Sequence, residues 1–196
     1  MRVSLVLLVS FFCLWANISV ALEETSYRVL AANQIYEIRE YDDRIAVQTT
    51  QKNGQNGAFR KLFKYISGSN TSSAKIDMTT PVTQSVKIDM TTPVTQRFQD
   101  GKVIMKFFLP RKFQLKSAPK PLSEDLSIVL VKGGKYAVIK YGGRSTYKNF
   151  EKHSKLLLEA LAADKIHTVD QPIKATFNGP LTPFFVRRNE AMVRID

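Results

Sequence analysis

Apolar and polar residues largely alternate through Tyr36-Glu37-Ile38-Arg39-Glu40-Tyr41, and Asp42-Asp43 then signals a turn. Alternation is the period of a half-buried strand, so residues 36–41 and 44–50 are predicted as two strands. After Gly54 and Gly57 the period changes. Apolar residues at 58, 59, 62, 63 and 66, with basic residues between them, predict an amphipathic helix over 58–66 that Gly68 and Asn70 end. Residues 102–109 read as a strand stopped by Pro110, and the Pro-, Lys- and Ser-rich stretch 111–124 as a surface loop. Residues 126–131 and 136–141 form a predicted hairpin about Gly133-Gly134. Beyond Gly142-Gly143, residues 146–163 carry the clearest helical spacing, with apolar positions at 147, 150, 157, 158 and 161. Two late strands, 173–177 and 191–195, are joined through Gly179-Pro180 and Pro183.

This layout repeats. Arg44-Ile45-Ala46-Val47 is similar to Lys135-Tyr136-Ala137-Val138 at an offset of 91. At the same offset Phe59, Lys61 and Lys64 fall on Phe150, Lys152 and Lys155. Strand, glycine-rich break and helix therefore occur twice. Two such halves predict a pseudo-twofold α+β domain, with helices covering a curved, mostly antiparallel sheet and a cleft where helices meet the sheet.

A literal repeat lies between the halves. The ten residues from Lys75 to Gln84 recur from Lys87 to Gln96, with Ser85-Val86 between the copies. Even positions hold Ile76, Met78 and Val82, then Ile88, Met90 and Val94, which is strand patterning. Pro81 and Pro93 argue against two long central strands, since proline donates no ladder hydrogen bond. Neither copy holds His, Cys or a second carboxylate, so the string reads as scaffold, a tandem duplication whose even twelve-residue shift keeps the apolar face constant.

The N-terminal part reads differently. Arg2, a mostly apolar run over residues 3–16 and the small-x-small Ser19-Val20-Ala21 make a secretory signal peptide the expectation for residues 1–21, with cleavage after Ala21. Residues 22–196 then form one domain, large enough for a core of its own. The chain's single cysteine, Cys13, falls inside the signal, so disulfides are not expected in the mature protein. Secretion or a periplasmic location follows. In a eukaryotic route Asn70-Thr71-Ser72 is a glycosylation acceptor. The formal net charge of +12 favours anionic partners, among them acidic membrane surfaces and small carboxylates. No nucleic-acid motif accompanies the charge, and nucleic acid is not an expected partner.

The segments Tyr-Glu-Ile-Arg-Glu-Tyr at 36–41, Ala-Phe-Arg-Lys-Leu-Phe-Lys-Tyr-Ile-Ser-Gly from 58 and Lys-Ile-Asp-Met-Thr-Thr-Pro-Val-Thr from 75 come in this order. Lys-Tyr-Ala-Val-Ile-Lys-Tyr-Gly-Gly from 135 and Pro-Phe-Phe-Val-Arg-Arg-Asn-Glu-Ala-Met-Val from 183 follow. Together they resemble the SOUL haem-binding protein family over nearly all of residues 27–193. The resemblance implies a distorted, antiparallel, barrel-like sheet in two similar halves with two main helices, akin to gyrase-inhibitor-like proteins. It also implies non-covalent binding of haem or another tetrapyrrole in an apolar cleft beside the first helix. Carried onto this sequence, Phe59, Leu62 and Phe63 would meet the ring, and Arg60, Lys61 and Lys64 the propionates. Met78 and Met90 are further candidates to reach the cleft.

A histidine proposed as iron ligand in one animal branch of the family is replaced here by Glu40, so the axial ligand is left open. His153, His167, Tyr65 and Tyr141 are the remaining candidates, and none is singled out. A monomeric, non-catalytic carrier or buffer is the expected function. The alternative is a small-ligand, partner or anionic-membrane module of the same fold with no haem role. Catalysis has little support, since no cysteine nucleophile, histidine cluster or paired carboxylates appear after the signal. Glu190, close behind Arg187 and Arg188, reads as a structural ion-pair partner rather than an acid.

Overall fold

The computed structural model describes residues 23–51, 55–72, 79–80, 82–87, 102–178 and 181–196. The expected signal peptide, Met78, Met90 and most of the doubled string lie outside these residues. The strands are β1 (Glu23–Glu24), β2 (Tyr27–Ala32), β3 (Glu37–Tyr41), β4 (Arg44–Gln51), β5 (Thr79–Thr80), β6 (Val82–Lys87), β7 (Lys102–Phe108), β8 (Leu126–Val131), β9 (Gly134–Tyr141), β10 (Ile173–Thr176) and β11 (Asn189–Arg194). The helices are α1 (Gln55–Ile66) and α2 (Tyr147–Ala163). Nine strands join in the order β2-β3-β9-β11-β10-β6-β7-β4-β8, each neighbour antiparallel, while β1 and β5 make a separate parallel pair. The α+β class is the one expected. The sheet is open rather than closed, with β2 and β8 at its edges.

Both helices lie on one face of the sheet. Under α1, Ala58, Leu62, Tyr65 and Ile66 pack on Ile45 and Val47 of β4 and on Met105 and Phe107 of β7. Under α2, Phe150, Leu157 and Leu161 pack on Ala137, Ile139 and Tyr141 of β9 and on Ala191 and Val193 of β11. Alternate residues of β9 and β11, Tyr136, Val138 and Met192, point the other way and cluster with Ala175 of β10. Strand alternation thus gives the sheet a helix-covered outer face and a separate inner face.

The two halves correspond, but the faces correct the register. Ile45, Val47, Ala58, Leu62 and Tyr65 occupy the places of Ala137, Ile139, Phe150, Ser154 and Leu157, an offset of 92 rather than 91. At 91, Val47, which faces α1, would match Val138, which faces away from α2. A one-residue slip turns every strand side chain to the opposite face, so packing rejects the register that scattered identities suggested.

The doubled string contributes one described strand at its junction. Strand β6 joins the end of the first copy to Ser85-Val86 and Lys87, the first residue of the second. It lies between β10 and β7, where Thr83 pairs with Ala175 and with Lys106. Pro81 precedes it, so the interior strand begins just past the residue that cannot donate to a ladder. Residues 88–96 lie outside the description.

Two turns fix the approach of the halves. At Gly133 a Cβ would overlap the Tyr41 carbonyl oxygen, so only glycine lets the β8–β9 turn close on the β3–β4 turn. Asp43 ties them by accepting from the Gly133 amide at 2.8 Å and from Lys132 at 2.8 Å. After α1, Gly68 takes φ 115° and Asn70 turns inward. Asn70 is buried, and its Nδ2 donates to the Tyr65 carbonyl at 3.0 Å. With its side chain buried, Asn70 is closed to glycosylation once the chain has folded.

Candidate ligand-binding site

The six α1 residues expected at the ligand divide by helical geometry. Leu62 is fully buried among β4, β7 and α1 side chains, so it supports the helix from within and is not presented to a ligand outside. Lys61 is held by Asp125, Nζ to Oδ2 at 2.6 Å. Phe59 and Phe63, one turn apart, stack with centroids 6.0 Å apart and rings 14° from parallel. Phe59 is half-buried and rests on the edge of Phe107, whereas Phe63 is 46% exposed. Arg60 and Lys64 are exposed beside this pair and form no ion pair among the described residues. The helix thus presents an apolar aromatic shelf with two exposed cations. Met78 and Met90 lie outside the described residues.

Of the candidate iron ligands, His153, Tyr65 and Tyr141 are held in the fold away from the shelf surface, and His167 lies beyond α2. Glu40 pairs with Arg28 at 2.5 Å across β2 and β3. The His153 ring stacks on Tyr141 at 4.1 Å, and its Nδ1 lies 2.7 Å from the Asn149 carbonyl. Tyr65 is buried and its hydroxyl donates to Pro119 O at 2.8 Å, while burial pushes its pKa up to about 12. Tyr141 is buried under α2, and burial followed by the Glu190 charge raises its pKa. His167 is exposed beyond α2. Among the described residues no cluster of three or more His, Cys, Asp or Glu can hold a metal. The shelf suits a tetrapyrrole's ring face and its carboxylates. Among the described residues, none of the candidate axial ligands is exposed on it.

Two further concavities are present. On the inner face a cleft is bordered by Tyr41, Arg44, Ile104, Lys106, Phe108, Tyr136, Ile173 and Met192, with Asp42 and Lys132 nearby. An open groove runs between Arg144-Ser145-Thr146 and residues 181–187, where Leu181 is 96% exposed and Arg144 stands over Phe184 at 5.2 Å. Neither was expected from the sequence. The signal available for the first was a lone lysine, Lys106, within the otherwise apolar Ile104-Met105-Lys106-Phe107-Phe108.

Glu190 has the structural role expected of it, with one partner the sequence did not indicate. It is fully buried, receives Arg39 through Nη1 at 2.9 Å and Nη2 at 3.2 Å, and receives Arg188 at 2.8 Å. Arg39, also fully buried, reaches Glu37 at 2.8 Å and lies over the Tyr27 ring at 4.1 Å. Arg188 continues to Glu24 at 2.8 Å. The Arg-Arg-Asn-Glu segment is therefore the β11 end of a buried ion network that joins β1, β3 and β11.

Residues 22–194 match the SOUL heme-binding protein family. The chain belongs to that family. No protein of curated function matches this SOUL chain in sequence. Among solved structures it is similar to the C-terminal domain of EcmrR, with TM-score 0.60 and 8% identity over 87% of this chain and 98% of that one. It is also similar to a hydrolase from Listeria innocua, with TM-score 0.58 and 7% identity over 85% and 94%. A further protein from Listeria innocua, of uncharacterised function, gives TM-score 0.59 and 9% identity over 85% and 94%. At such low identities these likenesses show the fold alone. Family membership brings haem binding into view.

Proposed function

We propose that this SOUL protein binds haem or another tetrapyrrole non-covalently and without catalysis, as a secreted or periplasmic carrier or buffer. The observation that carries the reading is the Phe59–Phe63 stack, open to solvent at Phe63, with Arg60 and Lys64 beside it. A porphyrin needs a flat apolar wall for its ring, and its propionates gain charge-assisted hydrogen bonds from Arg or Lys. With no axial ligand on the shelf among the described residues, contact is by ring face and carboxylate, which suits reversible carriage. A metal-free porphyrin is then expected to bind about as well as hemin.

Titrating the protein with hemin should shift and sharpen the Soret band and saturate near one equivalent. Phe63→Asp places a charge against the ring and should weaken binding at least about tenfold, the cost of roughly 1.4 kcal/mol. Phe63 is exposed, so the fold should persist, as circular dichroism would report. A hemin titration without saturation, or equal affinity in the variant, refutes the shelf. Secretion is supported by the basic start, apolar run and small-x-small site at Ser19-Val20-Ala21. Mass spectrometry of the mature protein should find Leu22 first; an intact Met1 in exported protein opposes this.

A further inference from the structure

The inner face carries positive charge that the described residues match only in part. Lys106 lies on β7 between Ile104 and Phe108, borders the cleft and has no hydrogen-bond or ion partner among the described residues. Arg44, at the start of β4, is 7% exposed and borders the same cleft. Its Nη2 reaches Leu109 O at 3.3 Å and Glu23 Oε1 at 3.5 Å, but its Nη1 is buried with no partner among the described residues. The nearby acids do not close the balance. Asp43 is held by Lys132 and the Gly133 amide, and Asp42, largely exposed, lies 3.9 Å from Arg111. Around the two cations the walls are apolar: Phe108, Tyr136, Ile173 and Met192.

A buried cation with an open donor and one partly exposed counterion, Glu23, at 3.5 Å is costly, and an incoming anion would relieve that cost. Burial also holds the Lys106 and Arg44 pKa values below their ordinary ranges, and at Arg44 the Glu23 charge offsets desolvation only in part. Size sets the ligand class. The enclosed space is about 70 Å³, and the whole void, mouth included, is about 630 Å³. A cavity of about 150 Å³ takes a benzene ring. The enclosed part is below that, so a macrocycle does not enter, whereas one ring or short chain standing in the mouth can present a carboxylate within.

We infer that the inner cleft is a second binding site, separate from the α1 shelf, for a small amphipathic carboxylate, with Lys106 and Arg44 Nη1 as its charge partners. The shelf and the cleft lie on opposite faces of the β4–β7 pair. Their ligands should therefore be independent.

The test uses para-fluorobenzoate followed by fluorine NMR, with para-fluorobenzamide as the neutral isostere. The benzoate should bind saturably in the micromolar-to-millimolar range, and the amide at least about tenfold more weakly, as losing a charge-assisted bond implies. Lys106→Met should weaken the benzoate by a similar factor, Lys106→Arg should retain it, and Phe63→Asp should leave it unchanged. Hemin binding should show the opposite sensitivity, so failure of either site is read separately. In the unaltered protein, benzoate should shift the methyl resonances of Ile104, Ile173 and Met192, a readout that does not depend on any variant folding. Absence of saturable benzoate binding, equal binding of the amide, or shifts at Phe59 and Phe63 in place of the cleft methyls would overturn the assignment.

Discussion

Replacing Glu190 by leucine should destabilise the protein by about 3–5 kcal/mol, the usual cost of stranding one member of a buried ion pair. For a domain of this size that corresponds to a fall in melting temperature of roughly 10 °C. The cause is what remains. Arg39 is fully buried and loses both bonds to the Glu190 carboxylate, keeping Glu37 at 2.8 Å, the Tyr41 hydroxyl at 3.0 Å and the Tyr27 ring. Burial alone would favour loss of the Arg39 charge, but the Glu190 bonds outweigh it and hold the guanidinium pKa above its ordinary value. Arg188 suffers less because Glu24 and the Phe177 ring still hold it. Removing the second charge should therefore restore stability. In Arg39→Met/Glu190→Leu, Glu37 retains Lys140 at 2.7 Å, and an apolar pair fills the buried space. Thermal denaturation of the single and double variants decides the matter: a double variant less stable than Glu190→Leu would show that the network does more than balance its own charges.

The same network should make the protein acid-sensitive. Burial would raise the Glu37 carboxyl, but hydrogen bonds from Lys140 and Arg39 prevail and hold it below the ordinary carboxylate range. A carboxylate whose folded pKa is depressed contributes stability above its unfolded pKa and loses it as pH falls through the folded value. The loss therefore belongs below the ordinary carboxylate range, with little change near neutrality.

What the sequence disclosed follows from which signals are periodic. Helix α2 shows its period in residues that, Leu158 apart, turn to one core, and Thr146 caps it by accepting from Asn149 N at 3.2 Å. The alternation in residues 36–41 likewise places β3. Strand β2 escaped notice because it is an edge strand, exposed along most of its length and bulged between Val29 and Ala31, so no burial pattern marks it. In the alternation of residues 36–41 Arg39 is one of the polar positions, between Ile38 and Glu40. Its partner lies 151 residues away, and only the β3–β9–β11 pairing brings the two together. A long-range ion pair has no local signature.

The site was half-visible for a related reason. Spacing makes α1 amphipathic, but five apolar positions cover a wider arc than the sheet can hide. Which of them meets solvent depends on where β4 and β7 lie. Leu62 points into that contact and Phe63, the next residue, points out of it, so neighbours in sequence received the same expectation and have opposite fates. The inner cleft was hidden more deeply. Its walls come from β3, β4, β7, β9, β10 and β11 and the turns beside them, and no sequence segment contains more than a few of its residues.

The shelf's dependence on the core beneath it leads to the second large effect. Phe107→Ala should cost about 3–5 kcal/mol, because Phe107 is fully buried between β7 and α1 and its removal leaves a ring-sized void. It should also weaken hemin binding. The Phe107 ring meets Phe59 edge-on at 5.3 Å, and Phe59 is the inner member of the stack whose outer ring is Phe63. Without that support Phe59 can turn toward the void, and the wall is no longer held flat. Leu157→Ala is the matching control: Leu157 is also fully buried, but under α2 in the other half, where no shelf residue touches it. Its loss should cost about 2–5 kcal/mol. Hemin affinity, measured well below both melting temperatures, should fall in Phe107→Ala and hold in Leu157→Ala. If both variants bind hemin equally well, the stack does not depend on Phe107; if both lose binding alike, affinity follows global stability rather than the first half's core.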